Sequence, residues 1–91
     1  MTENQSVIYI GKKGLMKYIL AATQAFNAGA NEITIKARGK LISRAVDVAE
    51  IIKNKFMKEI KVKDIKIGTE EVQNSDGSKS LVSNIEIVLS K

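Results

Sequence analysis

Hydrophobic positions along this chain recur with two periods. A short apolar run gives way to a three-and-four spacing, a short alternation leads into a second such spacing, and two long alternating stretches close the sequence. Val7-Ile8-Tyr9-Ile10 predicts a first strand, stopped by Gly11. From Leu15 to Asn27 the residues Leu15, Ile19, Ala22 and Phe26 fall on one face of a helix. Gly29 stands where a helix ends in the left-handed region that glycine tolerates. Glu32 to Ala37 alternates again, with Ile33, Ile35 and Ala37 on one face and Thr34 and Lys36 on the other. A second helix is predicted from Lys40 to Phe56, its inner stripe being Ile42, Ala45, Ala49, Ile52 and Phe56, widened by Val46 and Val48.

The last two strands carry more detail. Ile60 and Val62 share one parity while Ile65 and Ile67 share the other, so a bulge is expected near Lys63-Asp64. Leu81, Ser83, Ile85, Ile87 and Leu89 alternate through the final strand. Between the two lies Asn74-Ser75-Asp76-Gly77-Ser78-Lys79, whose Asp-Gly pair signals a hairpin turn. The arms from Thr69 to Ser80 are mostly polar, which predicts a hairpin that projects beyond the core. The order β-α-β-α-β-β, with a right-handed crossover, implies an α+β fold in a single domain spanning residues 1–91. It is a two-layer sandwich: a four-stranded mixed sheet with both helices on one face and the last two strands protruding as a hairpin. Val82 and Val88 leave apolar positions on the opposite sheet face, which points to a dimer.

Composition narrows the function. Cysteine and histidine are both absent from the 91 residues, so no disulfide, zinc site, thiol nucleophile or imidazole base is available. Neither a metal nor another cofactor is expected. The carboxylate pairs Asp47/Glu50 and Glu70/Glu71 read as solvated or salt-bridged groups, and no enzyme is predicted. Apolar runs fall far short of the roughly 18 residues a membrane span requires. Met1-Thr2-Glu3-Asn4-Gln5-Ser6 lacks the character of a signal peptide, so an intracellular protein is expected. Fifteen Lys and Arg against ten Asp and Glu leave a net charge of +5, which favours polyanionic partners.

That charge concentrates where strands meet helices. Lys36, Arg38, Lys40 and Arg44 crowd the second junction, with no acid before Asp47. A helix N-terminus is itself positive and carries unpaired N–H groups, so such crowding runs against local preference and implies an anion from outside. Gly11-Lys12-Lys13-Gly14 repeats the arrangement at the first junction, and Lys17 follows within the helix. After two parallel strands both junctions lie at one sheet edge, so seven cations form one phosphate-tracking patch. Lys79 adds a cation at the hairpin tip. GKKG matches the G-x-x-G of KH domains, but a strand precedes it where a helix belongs. No RRM signature, P-loop or dinucleotide fingerprint is present, and four aromatics argue against base stacking as the main mode of binding.

Tyr9-Ile10-Gly11-Lys12-Lys13, Glu32-Ile33-Thr34-Ile35-Lys36-Ala37-Arg38-Gly39-Lys40 and Ile42-Ser43-Arg44-Ala45-Val46-Asp47 resemble the Alba family of archaeal chromatin proteins. The similarity runs on through Glu50–Phe56, Ser75-Asp76-Gly77 and Val82–Ile87, covering nearly the whole chain. The resemblance implies the same fold and a homodimer, able to form higher assemblies, that coats double-stranded DNA, and often RNA, with little sequence preference. It places the protein in the cytoplasm on the nucleoid, condensing DNA. It implies that Lys12 contacts nucleic acid and is a target of acetylating and deacetylating enzymes. Lys13, Arg38 and Lys40 match other basic positions of that surface, the hairpin around Asp76-Gly77 reaches towards the minor groove, and Phe56 matches an aromatic through which dimers touch. Gly14 stands where many members have proline, and Lys40 where arginine is common, replacing a bidentate donor by a point charge. Two other readings fit the residues: an RNA chaperone or ribonucleoprotein subunit using the same patch, and a structural dimerisation module with incidental charge.

Overall fold

The computed structural model describes residues 5–91; Met1–Asn4, and with them most of the stretch read for a signal peptide, lie outside the described residues. Strand β1 (Gln5–Tyr9) pairs in parallel with β2 (Glu32–Arg38), and helix α1 (Leu15–Asn27) makes the crossover between them. One 3-10 turn, Gly39–Leu41, leads from β2 into α2 (Ile42–Ile51), which continues through a π-helical turn, Ile52–Phe56. Strands β3 (Lys61–Gln73) and β4 (Lys79–Ser90) form an antiparallel hairpin, and the sheet order is β1-β2-β4-β3. This is the α+β, four-stranded mixed sheet that the alternation predicts. The register shifts between Val62 and Asp64, placing the bulge at Lys63 as the parity slip requires.

Register decides which side chains meet the helices. Ile33 faces Leu89, Ile35 faces Ile87 and Ala37 faces Ile85, so all six lie on one side of the sheet, and all are buried. Ile19, Ala22 and Phe26 of α1 and Ala45, Val48 and Ala49 of α2 close that side, with Ile52 and Ile60. Gly29 has φ +111° just beyond α1, and Gly39 has φ +60° at the turn out of β2. A side chain at Gly39 would meet no obstacle closer than Val82, so the backbone angle alone requires glycine there.

Three expectations need correction. Phe56 and Val46 are not core residues; each is exposed. The π turn closes with the Met57 N–H on the Ile52 carbonyl at 2.8 Å, a wider turn than an α-helix makes. Phase carried from Ile42 therefore fails after Ile52, and Phe56 points outwards. Val82 and Val88 are half-buried, so the exposed apolar side chains of the far sheet face are Val7 and Tyr9 instead. A larger exposed strip lies on the helix side, at Ile65, Ile67 and Leu81, which are 55%, 82% and 74% exposed. The cause is length. β3 has 13 residues and α2 has 10, about 43 Å of strand against about 15 Å of helix, so the hairpin runs past its cover. The molecule measures 44 Å along its longest axis.

Candidate nucleic-acid interface

Neither strand-to-helix junction is closed by a capping side chain. Neither α1 nor α2 has an acidic residue in its first turn or a side-chain N-cap, and Gly14 takes the cap position of α1. Lys12 and Lys13 lie on the first junction, Lys17 in the first turn of α1, and Lys40 on the 3-10 turn of the second junction. All four are exposed. They form no ion pair among the described residues.

The remaining basic residues of the sequence pattern have partners. Lys36 points to the far sheet face, its Nζ 3.8 Å from Glu86 and 5.8 Å from the centre of the Tyr9 ring. The Arg38 guanidinium donates to Glu70 at 3.1 Å. The other Glu70 oxygen accepts from the Asn84 amide at 2.8 Å. The Asn84 hydrogen bond first, and the Arg38 hydrogen bond and charge after it, hold the Glu70 carboxyl below its usual value of 4.5. Arg44 reaches back to the first junction, donating to the carbonyls of Gly11 and Lys13. Lys79 stands apart from these residues, 3.7 Å from Glu71. It lies five residues from Asn84 along β4, or about 17 Å from the level of Arg38.

Sequence reading took Glu70 as solvated or salt-bridged, which agrees with its ion pair, but it missed the partner, and it missed Glu86. Glu86 is opposite Lys36, and Glu70 reaches Arg38 across β4, only because of the sheet register. With Tyr9, Arg38 and Asn84 they line a cleft of about 530 Å³ at the end of the sheet. The notion that loop N–H groups are all open to an anion also needs amendment. Those of Gly11 and Lys13 donate to the Tyr18 hydroxyl, so neither is open.

The hairpin tip is built to hold its shape. Asn74 closes the turn by donating to the Ser78 carbonyl at 2.7 Å, and Gly77 adopts φ +89°. The Ser78 hydroxyl, and next its backbone N–H, hold the Asp76 carboxyl below its usual value. The tip thus presents an ionised aspartate, with Lys79 beside it.

The Alba family model matches residues 6–69 of the chain. The DNA/RNA-binding protein Alba 1 of Archaeoglobus fulgidus is 50% identical over 91 residues, covering 100% of this chain and 99% of the relative. The DNA/RNA-binding protein Alba of Thermoplasma acidophilum is 53% identical over 87 residues, covering 96% and 97%. Alba from Thermoplasma volcanium superposes with a TM-score of 0.89 at 52% identity, over 93% of this chain and 99% of that one. The matched region includes the two basic junctions, the Arg44 bridge between them and the base of the hairpin, and by sequence and backbone together the chain belongs to the Alba family.

Proposed function

We propose that this protein packages nucleic acid without regard to sequence, as a homodimer that holds duplex DNA by its phosphates. The observation that carries this is the set of four exposed lysines, Lys12, Lys13, Lys17 and Lys40, which form no ion pair among the described residues, at two junctions that Arg44 ties together. Point charges on flexible stems beside helix starts that carry no acid hold backbone and read no bases. The relatives named above as DNA/RNA-binding proteins support the same reading. Arg38 joins the surface when a phosphate displaces Glu70, whereas Lys36 and Lys79 contribute at its margins. A nucleoid location follows from the ligand, and the reading assigns no catalysis.

The dimer is part of the proposal. Ile65, Ile67 and Leu81 form an apolar strip on the helix side of the hairpin, and Ile42 and Ile67 share a groove of about 470 Å³ with Ile85. A second copy covering this strip removes it from water and doubles the phosphate contacts. Lys12 is exposed, as acetylation requires, and Phe56 is exposed, as contact with a neighbouring dimer requires.

Salt dependence tests the reading. A dimer making about six phosphate contacts gives a log–log slope of affinity on salt of roughly −5 with duplex DNA. A slope near zero would sink it. Duplex RNA titrated at the same salt measures how far the ligand extends beyond DNA. Glu70→Gln frees Arg38 and removes a negative charge, so affinity for duplex DNA is expected to rise about three- to tenfold at neutral pH. Acid should act in the same direction. As pH falls through the depressed value of Glu70, the carboxylate protonates and Arg38 is released, so the advantage of Glu70→Gln disappears at a pH lower than that at which an ordinary glutamate titrates. A titration in which Glu70→Gln binds no better than the parent would show that Arg38 does not reach the ligand.

A further inference from the structure

The Lys12-Lys13 loop is gripped by two side chains whose arrangement charge alone does not explain. The Tyr18 phenol oxygen accepts hydrogen bonds from the Gly11 N–H at 2.9 Å and the Lys13 N–H at 3.2 Å. From the other helix, Arg44 donates through Nε to the Gly11 carbonyl at 3.2 Å and through Nη2 to the Lys13 carbonyl. Gly11 and Lys13 are thus held at donor and acceptor alike, and Lys12 stands between them with its side chain in solvent. The fit is close: a Cβ at Gly11 would sit 3.0 Å from the Tyr18 oxygen. The Tyr18 ring packs on the core, so the hydroxyl has a fixed base.

We propose that Tyr18 and Arg44 form a clasp that pre-orders the lysine loop and fixes its distance from the second junction, making both of them positioning residues for duplex nucleic acid. The proposal rests on the phosphate-binding reading above. A four-residue loop with glycine at each end is otherwise free to sample many conformations, and ordering it on binding subtracts from affinity. Arg44 belongs to α2, so the clasp also makes the two junctions one rigid body. Fixed spacing favours a ligand whose phosphates are regularly spaced. A single strand adapts its own backbone to whatever spacing it meets and gains little from the clasp.

Tyr18→Phe removes the hydroxyl, keeps the packed ring and changes no charge. It is expected to weaken duplex DNA binding about tenfold while weakening single-stranded DNA less than about threefold, with the salt slope on duplex unchanged. Amide exchange should accelerate at Gly11 and Lys13 and stay slow in the core strands, showing that the clasp opened without unfolding. Arg44→Lys keeps the charge but replaces the two nitrogens that serve the two carbonyls by a single ammonium on a flexible stem, and should reproduce the same duplex-selective loss. Duplex affinity within twofold of the parent for Tyr18→Phe, or equal losses on both ligands, overturns the proposal. Retained duplex affinity in Arg44→Lys removes Arg44 from it. The unsubstituted protein in the same titration reports on the reading beneath: absence of salt-sensitive duplex binding there overturns the phosphate-binding function itself.

Discussion

Lys12→Glu is expected to lower affinity for duplex DNA about a hundredfold at 0.1 M salt, equally for A·T-rich and G·C-rich sequences. A dimer loses two phosphate contacts, one per protomer. Each contact contributes about 0.9 to the salt slope, worth roughly eightfold at 0.1 M, so two account for about sixtyfold. The two new carboxylates then repel the phosphates and supply the rest. The slope should fall from roughly −5 to roughly −3.5. Lys12→Gln, which mimics acetylation, should show the change in slope without the added repulsion. Lys12 has no ion-pair partner among the described residues and no part in the core, so the melting temperature should stay within a degree or two. A loss confined to one DNA sequence would mean that bases are being read, and packaging would be the wrong description.

Much of this surface is legible in the order of the amino acids. The two alternations and the two helical stripes set the element order, and the parity slip between Val62 and Ile65 locates the bulge to within a residue. Local sequence carries such signals because side chains that share a face repeat at a fixed interval. Pairing between strands is another matter. Nothing near Arg38 announces Glu70, 32 residues away, and the two meet only because β3 and β4 lie beyond β2 in a set register. The Tyr18 hydroxyl is invisible for the same reason: a tyrosine on a helix face reads as packing, and nothing local says that its oxygen lies beneath the Gly11 and Lys13 amides. Phe56 shows a different limit. Helical phase does not carry across Ile52, because a single π turn is enough to rotate the next aromatic into solvent. Arg44 does belong to the cationic junction, as its position implies, but its side chain grips the loop rather than facing outwards.

The apolar strip yields the second large effect, and it links assembly to binding. Ile67 is 82% exposed in the single chain, so Ile67→Asp removes little from the core and should leave the monomer folded. In a dimer built on this strip the same substitution buries a carboxylate in each protomer without a partner, in place of an isoleucine worth about 1.5–3 kcal/mol of burial. The dimer should dissociate, and sedimentation should report a species of 10.0 kDa in place of one twice that mass. With three contacts in place of six, the salt slope on duplex DNA should halve to roughly −2.5, and affinity at 0.1 M salt should fall by more than about a hundredfold. Val7→Asp is the control: Val7 is 48% exposed on the opposite sheet face, so its substitution should change neither mass nor slope. If Ile67→Asp stays dimeric, the interface lies elsewhere on the chain. If it becomes monomeric with its slope intact, one protomer already carries every contact, and dimerisation serves something other than grip. The expected halving of the slope would tie the apolar strip on the hairpin to the lysines at the junctions, since the contacts each protomer makes count twice only when two protomers bind as one.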